Sequence, residues 1–465
     1  MKPILWLLLL ISTVGSAQKS KKAAIKADKL VVTALQSHVQ FLADDKLEGR
    51  RTGSAGEKLA YEYISNKFEE AGLAPKGNNG SFIQAFDVRE GKEIHPATQL
   101  SLNRTKLNLN SDYFPFAFSP NARLESSASM ALPEAESAWF WDLKETLETN
   151  KNNPHFDLED AIIKKVNMVA AKGAAALLVY NSSGIKDSLK FDPKSKTEKT
   201  RIPVLYISPD IKNKYLQDEL SYVDLKLEVS IGDKKRTGHN VIGYIDNGVP
   251  NTVIVGAHYD HLGYGEDHNS LFTGATPQIH NGADDNASGT AALIELARQL
   301  KRSKLKNNNY LFIAFSGEEL GLYGSKYYTE NPTIDFTKAN YMINMDMIGR
   351  LNDSTHGLTI GGYGTSPVWG QELSADNKLL KIKFDSSGTG PSDHTSFYRK
   401  EIPVLFFFTG AHSDYHKPSD DADKINYNGQ LQLLKYIYGV IEKTNDNGKL
   451  AFTKTREPQA MGRRS

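Results

Sequence analysis

The spacing of apolar positions changes character three times along the chain. Over residues 23–75 apolar side chains recur at helical spacing. Leu59, Ala60, Tyr63, Ile64, Phe68 and Ala71 share one face, and Gly72 supplies a C-terminal stop. From about 113 to 231 the texture is mixed. A short amphipathic helix is predicted over 160–172 on Ile162, Ile163, Val166 and Val169, followed by apolar strands at 175–180 and 202–207. The Lys-rich stretch between them, 186–201, reads as a solvated loop. After Gly238 strands and helices alternate. Strands are predicted at 241–245, 252–257, 310–315, 341–345, 358–360 and 403–408, and helices at 289–300 and 429–443. Runs such as Val253-Ile254-Val255 and Val404-Leu405-Phe406-Phe407-Phe408 are apolar on both faces, as strands covered by helices on each side must be. The pattern predicts an α/β sandwich. Its central sheet is mixed and mostly parallel, and reactive groups belong just beyond the carboxyl ends of the strands.

The two ends depart from this pattern. Lys2, an apolar run over 4–11 and Gly15-Ser16-Ala17 together read as a secretory leader cleaved near Ala17. The run is shorter than the roughly 20 residues a bilayer requires, and no later stretch reaches that length. The mature chain is therefore expected to be exported, to the periplasm or the exterior, without a membrane anchor. The tail over 449–465 carries Lys454, Arg456, Arg463 and Arg464 and is expected to be disordered.

Composition narrows the chemistry. A hydrophobic content of 39% supports a sizeable core, and 56 basic against 55 acidic residues leave no excess for nucleic-acid binding. The chain has no cysteine. Disulfides, thiol catalysis, iron–sulfur clusters and thiolate-bound zinc are excluded, so any metal must sit on His, Asp or Glu.

Four motifs stand at the ends of predicted strands or open the helix after them: Ala257-His258-Tyr259-Asp260, Gly282-Ala283-Asp284-Asp285-Asn286, Ser316-Gly317-Glu318-Glu319 and Asn344-Met345-Asp346-Met347. A fifth, Asp414-Tyr415-His416-Lys417-Pro418, follows the last apolar strand. Each alone is ordinary; together they crowd acidic groups into one crevice, which is costly without a cation. Two Zn²⁺ would be balanced by Asp285, Glu319, Asp346 and one hydroxide, with His258 and His416 giving each ion a neutral nitrogen. Asp284 reads as a cap for the helix beginning near Ser288. His261, His268 and His280 read as loop or supporting groups, and Asp393 and His394 as neighbours of the pocket.

These motifs resemble those of the co-catalytic di-zinc exopeptidases, the family of bacterial leucyl aminopeptidases and glutamate carboxypeptidase-like enzymes, over most of residues 230–445. The resemblance implies that His258 and Asp346 bind one zinc, Glu319 and His416 the other, and that Asp285 bridges them. It implies that Glu318 is the general base acting on a water between the metals, and that Asp260 orients His258. Tyr415 matches a tyrosine that assists the oxyanion in some members; the alternative is a rim aromatic. The segment 113–231 resembles a protease-associated domain inserted into a discontinuous peptidase domain, 18–112 with 232–448. An aminopeptidase acting on peptides is the leading expectation. Two alternatives stay open: a carboxypeptidase or dipeptidase, for which Arg350 is a candidate carboxylate partner, and a non-catalytic receptor-like or scaffold relative. A cyclase acting on N-terminal glutamine, which binds one metal, suits this ligand set less well.

Overall fold

The computed structural model describes residue 22 and residues 24–456. The leader expected at 1–17 and the chain beyond 456 lie outside the described residues. Among the described residues no helix is long and apolar enough to cross a membrane.

The chain divides into two compact units, Met1–Val88 with Thr237–Ser465, and Arg89–Arg236. The first is built on a nine-stranded sheet. Its strands are β1 (Ala74–Pro75), β2 (Ile83–Ile94), β3 (Ile231–Ile245), β4 (Thr252–His258), β5 (Asn309–Phe315), β6 (Ala339–Met345), β7 (Gly357–Gly361), β8 (Lys381–Phe384) and β9 (Val404–Phe408). They lie in the order β1-β3-β5-β4-β6-β9-β7-β8, with β2 also paired to β3. The four central strands β5, β4, β6 and β9 are mutually parallel, so their carboxyl ends open along one edge of the sheet.

Side chains in these strands alternate between two apolar layers, as the two-residue period dictates. Val253, Val255 and Ala257 of β4 pack with Tyr310, Phe312 and Ala314 of β5 on one face. That face is covered by α1 (Ile4–Leu42, described from residue 24), α2 (Ala55–Glu70), α3 (Gly289–Arg302) and, at the far side, α6 (Tyr427–Lys443). Ile254, Leu311, Ile313 and Phe315 face the other way, against Tyr328 of α4 (Tyr323–Glu330) and Phe397 of α5 (His394–Tyr398).

The helical stretch expected over 23–75 is two helices, α1 and α2. A turn separates them in which Glu48, Gly49 and Arg50 all have positive φ. The expected disordered tail is corrected as far as it is described. Leu450 is buried, Thr453 donates its N–H to the Thr365 carbonyl, and Thr455 meets the Tyr398 hydroxyl.

The second unit contains two four-stranded sheets. Gln99–Leu102 and Ala122–Ser129 flank Tyr222–Val229 in antiparallel pairing; Tyr113–Pro115, Val204–Ile207, Ala176–Tyr180 and Ala138–Asp142 form the other sheet. The boundary expected at 112/113 falls inside this unit because Gln99–Leu102 pairs with Tyr222–Val229.

Candidate metal centre

The parallel strands set the positions of the reactive side chains. His258 is the last residue of β4, Asp346 follows β6 directly, and Glu318 and Glu319 lie just past β5. Asp285 comes from the short helical segment Ala283–Ser288 that leads into α3, and His416 from the loop after β9. Residues as far apart in sequence as 258 and 416 thus meet at one edge of the sheet.

Glu318 and Glu319 do not extend β5 with alternating side chains. They lie in a turn that is fastened to Asp260, whose carboxylate accepts the N–H of Glu318 at 3.2 Å and of Glu319 at 3.4 Å. The Thr52 hydroxyl donates to the same carboxylate at 3.1 Å. Asp260 is fully buried, and these three donors offset its burial.

Two histidines are held with Nε2 turned into the site. His258 Nδ1 lies 3.2 Å from the Asp260 carbonyl oxygen, and His416 Nδ1 2.9 Å from the Asn269 carbonyl oxygen. A carbonyl only accepts, so Nδ1 carries a ring proton and Nε2 is the nitrogen that faces the site, where a metal ion would take the place of a second proton. Facing those nitrogens are carboxylates. His258 Nε2 is 3.3 Å from Asp285 Oδ1 and 3.3 Å from Asp346 Oδ1. His416 Nε2 is 3.3 Å from Asp285 Oδ2 and 3.2 Å from Glu319 Oε2. Asp285 therefore turns one oxygen to each histidine.

These spacings test whether an ion fits. Charge-assisted N–H···O bonds run to about 2.7–2.9 Å. Ligands placed about 2.0–2.1 Å from one tetrahedral zinc are separated by about 3.3–3.4 Å. All four pairs match the second spacing. Two sets of nitrogen and oxygen donors sharing Asp285 fit two such ions.

The electrostatics of the metal-free chain point the same way. Against its burial, which would raise it, contact with His258 and His416 holds the Asp285 carboxyl well below its usual range. Burial would lower His416, yet Asp285 and Glu319 lift it to about 10. Without a cation, protons on imidazole do the neutralising, and a divalent ion would displace them. Burial pushes the Glu318 carboxyl well above the carboxylate range, reinforced by Glu319 and Asp346. The Tyr415 ring stacks on His416, with 3.9 Å between ring centres, and burial beside four carboxylates keeps its hydroxyl protonated.

A cavity of about 370 Å³ opens on the centre. His258, Asp285, Glu318 and Asp346 line its floor, and Met347, Pro391, Phe406 and Phe408 form an apolar side. Among its described lining residues none is Lys or Arg.

Several expectations change. Asp284 is not a helix cap: it accepts the Gly349 N–H at 2.6 Å and the Ser288 hydroxyl at 3.0 Å, and faces His412 at 3.2 Å. Arg350 does not line the cavity; it is paired with Asp414 at 3.2 Å. His268 is exposed, and His280 is bound to the Ser270 hydroxyl. His394 lines the cavity, and Asp393 is buried next to it.

Two supporting residues, Asp420 and Arg50, escaped the sequence reading of the site, and a third, His261, fills the supporting role expected of it. His261 meets Glu319. Asp420 accepts the N–H groups of Asp284 and Asp285. Arg50, fully buried, donates to the carbonyls of Tyr259, Asn281 and Gly282, next to the motifs that carry His258 and Asp285. No local pattern announces Arg50, because these three carbonyls lie more than two hundred residues away.

Comparison with known proteins bears on this centre. Residues 240–440 match the model of peptidase family M28. The chain is 30% identical over 279 residues to aminopeptidase YwaD of Bacillus subtilis, covering 57% of this chain and 55% of that one. It is 30% identical over 393 residues to a probable leucine aminopeptidase 2 of Trichophyton verrucosum, covering 80% and 71%. The chain spans about half the length of the first curated relatives it matches. Among solved structures, a zinc aminopeptidase from Bacillus subtilis aligns over 92% of this chain and 96% of its own at 21% identity, with a TM-score of 0.47.

Proposed function

The chain belongs to peptidase family M28, and on that premise we propose that it is a zinc-dependent aminopeptidase that removes N-terminal residues from peptides. The observation that carries the polarity is the cavity lining. A free amine calls for a carboxylate, and beyond the groups given to metal and base the lining offers Asp385, while no basic residue among the described lining awaits a carboxylate. Arg350, the one candidate for that task in the sequence, is committed to Asp414. The apolar side formed by Met347, Phe406 and Phe408 suits an apolar first residue.

In this reading two zinc ions are held by His258 and Asp346, and by His416 and Glu319, with Asp285 shared. The ions supply Lewis acidity toward the scissile carbonyl and its attacking water. The chain's own residues do the rest. Glu318 takes the proton of the attacking water and returns it to the leaving amine. Asp260 holds the turn that carries Glu318, and through its backbone carbonyl sets the tautomer of His258. Tyr415, protonated and at the cavity wall, is placed to donate to the developing oxyanion. We further propose export after cleavage near Ala17, and a protease-associated type of insert for the second unit.

The test is zinc-loaded enzyme assayed on peptides with free and with blocked N-termini. Cleavage of the free series alone is expected, together with a loss of about 10²–10⁴ in kcat for Glu318→Gln at unchanged zinc content. Preference for blocked substrates would favour the carboxypeptidase reading. Full activity in E318Q would remove the proposed base.

A further inference from the structure

His261 stands three residues after His258, in the segment that leaves β4. Its backbone N–H donates to the Arg50 carbonyl, and its side chain is fully buried. Its Nδ1 lies 2.7 Å from Glu319 Oε1. That distance separates it from the four histidine–carboxylate pairs of the centre, which stand at 3.2–3.3 Å. A spacing of 2.7 Å belongs to a charge-assisted hydrogen bond, about 2.7–2.9 Å, and is too short for two ligands of one tetrahedral zinc. The carboxylate only accepts, so Nδ1 carries the proton and has no lone pair to give a metal. The opposite nitrogen, Nε2, is buried without a hydrogen-bond partner. The ring also meets His416 edge-on, 5.9 Å between centres at 75°.

We propose, resting on the metal-centre reading above, that His261 is a positioning residue that orients Glu319 toward the second zinc. The two oxygens of Glu319 are divided between two tasks. Oε1 accepts from His261, and Oε2 faces His416 Nε2. An unheld carboxylate is free to rotate or to offer both oxygens to an ion. The His261 bond reserves one of them and fixes the plane of the other. A short ion-pair-like contact that looks like a sixth ligand, in a cluster of His261, Asp285 and Glu319, is thus a support for the ligand set.

The experiment uses the full chain stripped by a chelator and titrated with Zn²⁺ against a chromophoric competitor, and separately with Co²⁺ followed by visible absorption. His261→Phe keeps a ring but removes the donor, and His261→Leu is a second donor-free variant should the first not fold. His261→Asn keeps a side-chain N–H. In H261F or H261L the second equivalent of zinc should bind about 10–100-fold more weakly, with an altered cobalt spectrum, while the first equivalent is unchanged. In H261N both should return to within a few-fold of the parent. Parental affinity and spectrum in the donor-free variants would overturn the proposal. So would loss of the second equivalent in all three variants, which would make His261 a ligand. A parent chain that takes up fewer than two equivalents would overturn the metal-centre reading itself, a result visible before any substitution is made.

Discussion

The imidazole of His394 lies flat on the Phe406 ring, 4.4 Å between centres, fully buried and with Nδ1 unpartnered. Burial alone drops its pKa from 6.5 to about 3. An unfolded chain takes up that proton near pH 6.5, whereas the folded chain refuses it until about pH 3. Between those values the unfolded state binds more protons, so stability falls as pH is lowered, by at most about 1.4 kcal/mol per pH unit. His394→Phe preserves the stacked ring and abolishes the titration. Urea midpoints measured from pH 7 down to pH 4 should therefore decline less steeply in H394F than in the parent. Equal slopes would show that the proton is not excluded. The proposed site residues differ from His394 in how plainly they could be read. His258, Glu318, Glu319 and Asp346 stand beside buried strands, where the hydropathy pattern already places chemistry. His261 and Asp420 sit in loops, and their roles depend on partners that only folding supplies.

Strands that are buried on both faces were legible because their apolar runs are continuous; β4, β5, β6 and β9 all lie within two residues of their expected bounds. Of the insert strands only Ala176–Tyr180 and Val204–Ile207 were legible, and β1, β2 and β8 of the large sheet were not. Tyr222–Val229 has a clean alternation of exposed and buried positions that a two-residue template would have caught. Ile83–Ile94 alternates only over its first half, and its partner β3 comes far later in the chain. The approach of α3 to β6 was also invisible in sequence. At Gly289, the first residue of α3, an added Cβ would lie 2.4 Å from Asn286 Oδ1 and 2.5 Å from the Met345 carbonyl oxygen. Asn286 meanwhile donates to that same carbonyl and accepts the Gly289 N–H. Glycine is what lets α3, which follows the segment bearing Asp285, sit against β6, which Asp346 follows. Gly289→Ala should cost about 1–3 kcal/mol in the metal-free chain and weaken zinc binding. Gly439, inside α6, has open space around it, and G439A should stabilise by up to about 1 kcal/mol. Urea unfolding of both variants checks the pair, and a neutral G289A would refute the packing argument.

The two units each have their own apolar clusters. Every residue of the proposed metal centre, from His258 to His416, belongs to the unit formed by Met1–Val88 and Thr237–Ser465. A ligand that binds only the folded state stabilises what it binds, by about 2.7 kcal/mol when free zinc is a hundred times its Kd. That is worth several degrees in Tm for a domain of this size. The gain should appear in one unit only, and the tryptophans make this measurable. Trp369 is fully buried in the first unit, while Trp139 and Trp141 belong to the second. In a chain carrying Trp139→Phe and Trp141→Phe, thermal unfolding followed by fluorescence should shift to higher temperature with zinc and return with a chelator. In a Trp369→Phe chain the second unit's own signal should stay where it was under both conditions. Both chains would be produced without residues 1–17, which removes Trp6, the fourth tryptophan. Equal shifts in both signals would mean that the two units unfold as one cooperative body, and that the zinc linkage is not confined to the unit that holds the ligands.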